Sequence, residues 1–119
     1  MSTFTEVQHQ ELIHECMEWE MALNAWKDKI SDLRNELYVF AAGKVDSEMR
    51  IGIEHFHNQF HIQQINIHDM IHELNIHMNE ANEHPEFKLR EPHKDLKEKF
   101  QALLKSLESL ESEFSTFTK

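Results

Sequence analysis

Two glycines, two prolines and one cysteine are all that 119 residues hold of those types. So few chain breakers, beside 29% charged and 39% hydrophobic residues, point to a helical protein. The lone Cys16 excludes an internal disulfide. No apolar run approaches membrane-spanning length, and the start Met-Ser-Thr-Phe-Thr-Glu lacks the basic and apolar regions of a signal peptide, so the expected compartment is the cytoplasm. Positive charge is also short. Twelve Lys and Arg against 22 Asp and Glu leave a net charge of −10, which argues against nucleic acid and against an anionic membrane surface as partners. With no glycine-rich phosphate loop and no nucleophile set beside a base by a recognisable motif, no enzyme is expected.

What is present is helical periodicity. Thr3 with Glu6 resembles a capping box, and an unbroken 3–4 stripe follows through Leu12, Cys16, Trp19, Leu23, Trp26, Ile30, Leu33, Leu37 and Phe40 until Gly43 stops it. Cys16 lies on that stripe, where burial is its expected role. Asp46 or Ser47 can cap a second helix that runs past Gly52 to His84, where Pro85 ends it. After a loop from Pro85 to Glu91, Pro92 suits the first position of a third helix carrying Leu96, Phe100, Leu103, Leu107, Leu110, Phe114 and Phe117. The expected fold is all-α: one domain, residues 1–119, an up-down-up antiparallel three-helix bundle with helices over about 4–42, 46–84 and 92–118.

The chain is rich in histidine, with ten in all and six between residues 54 and 77. At about 100° per residue, His57, His61, His68 and His72 share a ~60° arc of the second helix. Ile53, Phe56, Phe60, Ile67, Ile71, Leu74 and Met78 lie on one side of that arc, and Ile51, Ile62, Ile65 and Ile76 on the other. The expectation is therefore that the histidines run down the middle of the buried face, where imidazoles need hydrogen-bonding partners or a metal ion. His57 with His61 and His68 with His72 are i, i+4 pairs, the spacing that lets two imidazoles reach one ion. The pairs stand about 16 Å apart and cannot share an ion. Antiparallel counting about residues 43 and 44 sets His72 level with Glu15, so Glu11, His14, Glu15 and Glu18 are the groups that helix 1 offers the upper pair, Glu15 being the best placed. Imidazole ligands suit Zn, Cu or Ni. His9, His77, His84 and His93 gather near one end of the bundle, where solvation is the simpler reading.

Apolar residues remain after the bundle is assembled. The second strip of helix 2, with Ile13, Met17 and Met21 of helix 1, forms one lateral patch, read here as a homodimer face. Antiparallel packing of helix 2 on its symmetry mate about a point between Gln64 and Ile65 would bring His57 to His72 of the partner subunit, and His61 to His68 of the partner subunit. The function read from the sequence is thus transition-metal binding for buffering, sensing or stabilisation. The alternative is a coiled-coil module, docking a protein partner of unknown identity, whose histidines form a polar register layer or a pH switch. Carboxylate–histidine repeats of the di-iron type fail on level, since Glu11-x-x-His14 and Glu54-x-x-His57 stand about 24 Å apart.

The segment Glu54-His55-Phe56-His57-Asn58-Gln59-Phe60 resembles one that opens the second helix in a family of small, uncharacterised helical proteins from Bacteroidetes bacteria. The resemblance extends over nearly the whole chain: His14 and Trp19 in helix 1, His72 late in helix 2, and His93 opening helix 3. It implies the same helical fold and brings no established activity. Where this chain has His57 the family often has glutamine, which shifts the implied pair from the four-histidine arrangement to His14 with His72.

Overall fold

The computed structural model describes residues 6–44, 46–83 and 93–119, with backbone alone for residues 6–8. They form three helices, α1 (Glu6–Ala41), α2 (Ser47–Glu83) and α3 (His93–Phe117), and no strand is found among the described residues. Together they fill a rod of 66 × 18 × 18 Å. The Thr3 cap, residues 4 and 5, the two prolines and His84 lie outside the described residues; at the described ends the helices stop one residue short of expectation, at Ala41, Ser47 and Phe117.

The first connection follows from its residues. The Lys44 amide donates to the Ala41 carbonyl at 3.0 Å. Gly43 takes φ 79°, a left-handed conformation that costs glycine nothing and ends the helix. Asp46 then caps α2: its Oδ1 accepts from the Glu48 amide at 3.0 Å while its carbonyl accepts from the Arg50 amide at 3.0 Å.

One seam of apolar side chains holds the helices together, and its two ends differ in chemistry. At one end Phe56, Phe60 and Phe114 meet at ring separations of 5.0–6.1 Å, with Phe117 packed on Phe56 and Phe40. Gly52 admits the Phe117 ring: a Cβ there would clash with Phe117 Cε1 and Cζ. At the other end the seam turns polar, with Cys16, His77 and His93. Between them Gln63 is buried, donating from Nε2 to Ser106 Oγ at 2.6 Å and accepting from Asn66 at 3.1 Å. Such a layer fixes register more than it stabilises. Gln63→Leu is expected to leave unfolding free energy unchanged or raise it by about 1–2 kcal/mol, because both Gln63 partners are exposed and turn to water; urea denaturation reads this.

Two expectations are corrected. The buried face of α2 is Phe56, Phe60, Gln63, Ile67, Met70, Leu74, His77 and Ala81, a strict 4–3 spacing. It coincides with the first apolar strip alone, so the second strip stays outside and the arc between them is not the centre. His57, His61, His68 and His72 are all exposed. Register also differs from simple counting. His9 meets Asn82 at 3.2 Å, Tyr38 faces His57, and Cys16 stands beside His77, some four to eight residues beyond the expected levels. Side chains lean toward the N-terminus of their own helix, so facing residues in an antiparallel pair both carry higher numbers. On the other side, Gln63 meets Ser106, and His77 meets His93.

Candidate metal centre

Cys16, His77 and His93 sit on three different helices, and one ligand atom from each lies within 4.8 Å of the other two. Cys16 is 0% exposed, His77 3%, and the His93 side chain 22%. Each occupies the apolar seam of its helix, so closing the bundle gathers them without any loop.

The hydrogen bonds assign protons. Glu15 Oε1 lies 2.9 Å from His93 Nε2. A carboxylate only accepts, so His93 carries its proton on Nε2 and presents a lone pair on Nδ1. That lone pair accepts from His77 Nε2–H at 3.1 Å. The two imidazoles lie 17° from coplanar with centroids 5.3 Å apart, so they meet edge to edge. Trp19 stacks on His93 at 5.0 Å and 12°, fixing its ring plane, and is itself stacked on Phe100 at 5.2 Å. Lys97 Nζ stands 3.8 Å from the other oxygen of Glu15.

The Cys16 thiol is pushed up from 9.0 to about 12, first by burial and then by the Glu15 and Glu20 carboxylates. At neutral pH it is a thiol, and a metal ion must displace its proton to bind. The shift has a stability consequence. In the unfolded chain the thiol ionises near 9, while the folded chain holds its proton to about 12. The stabilisation is therefore complete below about pH 9 and is lost as pH rises through about 12. In chelator, the urea midpoint is expected to fall further between pH 8 and pH 10.5 in the parent chain than in Cys16→Ser, which has no thiol to ionise.

Chemically the group suits a borderline-soft ion, which Cys16, His77 and His93 would hold through one thiolate and two imidazoles. Two imidazole nitrogens at ~2.0–2.1 Å from a tetrahedral ion stand about 3.3 Å apart, close to the 3.1 Å found here. To hold an ion, both nitrogens would have to give up the bridging proton and turn their lone pairs from each other toward it. Glu15 would then hold His93 from outside, as carboxylates commonly do for ligating histidines.

The residues singled out from the sequence are placed otherwise. His57 faces Tyr38 with ring centroids 6.3 Å apart, and His61, His68 and His72 point outward beside it on α2. His14 is exposed and pairs with Glu18 at 2.9 Å on its own helix. It does not meet His72: with Cys16 beside His77, His14 lies about 10 Å further along the bundle than His72. Glu15 does stand beside a histidine, but that histidine is His93. The signal for the actual cluster was positional: Cys16, His77 and His93 each continue the 3–4 seam of their own helix.

Comparison of the chain with protein-family models, with curated proteins and with solved structures finds no match in any of the three. No helix is long and apolar enough to cross a membrane among the described residues.

Proposed function

We propose that this chain is an up-down-up antiparallel bundle that binds one transition metal ion through Cys16, His77 and His93, and that the ion locks the three helices together at that end. The supporting observation is the convergence of three ligand atoms, one from each helix, within 4.8 Å, with Cys16 and His77 buried and His93 partly so. Zinc is the ion the proposal favours, with copper as its competitor, since a thiolate with two imidazoles suits both. The role is metal-dependent stabilisation or sensing rather than catalysis. A lone reduced thiol fits the cytoplasm. Membership of the Bacteroidetes family that residues 54–60 resemble belongs to the same proposal: two positions of that likeness, Trp19 and His93, fall at this cluster.

One observation favours a second reading. The relay from His77 through His93 to Glu15 is complete without an ion, so the cluster can also serve as a polar layer that sets register. Thermal unfolding separates the two. An ion that binds only the folded chain adds about 2.7 kcal/mol at 100 times its dissociation constant, or roughly 10 °C in midpoint at this size. The proposal expects that rise with zinc and its reversal by chelator. A midpoint indifferent to both would leave the polar layer.

A further inference from the structure

We propose that the exposed histidines of α2 form a second, shared metal site: His57 with His61, and His68 with His72, are two half-sites that a second copy of this chain completes. The inference stands apart from the three-helix cluster and uses none of its residues.

The two pairs lie on consecutive turns of a continuous helix, where i and i+4 side chains stand about 5–6 Å apart at Cβ. All four rings are exposed. Each pair offers two of the four ligands that a tetrahedral ion takes. Among the described residues, Cys16, His77 and His93 are the one set of three or more ligating side chains within reach of a common ion. Among those residues neither pair finds a third ligand, and a second chain can supply it.

A second copy is the occupant that supplies the missing ligands in register. The spacing is four residues within each pair and seven between the pairs. Antiparallel packing of α2 on a second α2 about Gln64 and Ile65 faces each pair with the opposite pair of the partner. Apolar cover is in place beside the stripe, where Ile62 and Ile65 are 46% and 47% exposed. Charge then decides when the copies meet. Two chains of net charge −10 repel, and two divalent ions at the interface supply the opposite charge. Association is metal-dependent for that reason.

Sedimentation with chelator and with zinc tests this. In chelator the parent chain is expected to run at its 14.3 kDa. With zinc it is expected to run at twice that mass, its self-association at least tenfold tighter. The double variant His61→Ala with His68→Ala removes one ligand from each half-site at exposed positions that the fold does not need; it should stay monomeric in zinc. Cys16→Ser leaves the stripe intact and should dimerise like the parent while binding one zinc fewer per chain, so failure at one site is read separately from failure at the other. A parent chain that stays monomeric in zinc, a dimer equally tight in chelator, or a double variant that dimerises like the parent would each overturn the proposal.

Discussion

Cys16→Ser is expected to weaken zinc binding at the three-helix cluster by more than about 100-fold, since removing a ligand outweighs the 10–100-fold loss typical of an outer-shell change. The substitution is close to isosteric and leaves the relay of His77, His93 and Glu15 in place. Metal-free stability should therefore stay within about 1–2 kcal/mol of the parent. Competition against a chelator of known affinity, run beside urea denaturation, reads both quantities. Unchanged affinity would remove Cys16 from the ligand set and leave the relay of Glu15, His93 and His77 as a polar layer.

The largest stability effect lies at the other end of the rod. Phe60 is fully buried, packed edge-on against Phe114 at 5.0 Å and beside Phe56 at 6.1 Å. Phe60→Ala is expected to cost about 3–5 kcal/mol, through lost burial and the cavity left behind. For a chain of this size that lowers the melting midpoint by roughly 12–20 °C. Seventeen residues of α2, about 25 Å, separate Phe60 from His77, so the folded fraction should bind zinc as the parent does. Calorimetry with and without the ion measures both. A loss of affinity matching that of Cys16→Ser would show that the two ends are coupled.

Much of the helix plan was legible because the residues that stop and start helices are few here and act locally. Gly43 and Asp46 place the first connection, and the seams of α1 and α3 read directly as 3–4 repeats. Helix 2 was harder. It carries two apolar strips with histidines between them, and a moment taken over both points at the histidines. Gln63 and His77 occupy seam positions, but being polar they hide the strict spacing that Phe56, Phe60, Ile67, Met70 and Leu74 share with them. The three-helix cluster was missed for a related reason. Cys16 read as core filler and His93 as a solvated terminal residue, and both belong to the seam once its spacing is carried to the helix ends. Bringing them level with His77 also needed the register of α3, which residues 84–92 do not encode by any counting rule. Glu15 was marked as a partner for histidine, and the register supplied a different histidine.

Cobalt(II) titration of the metal-free chain, followed by visible and near-ultraviolet absorption in the parent and in Cys16→Ser, tests the three-helix cluster most directly, because cobalt takes up zinc sites and reports thiolate ligation in its spectrum. The parent is expected to develop one equivalent of tetrahedral absorption with a sulfur-to-cobalt charge-transfer band, quenched stoichiometrically by zinc, and the band should be absent from Cys16→Ser. A parent spectrum without the sulfur band, or one that survives the loss of Cys16, would contradict a metal centre built from Cys16, His77 and His93.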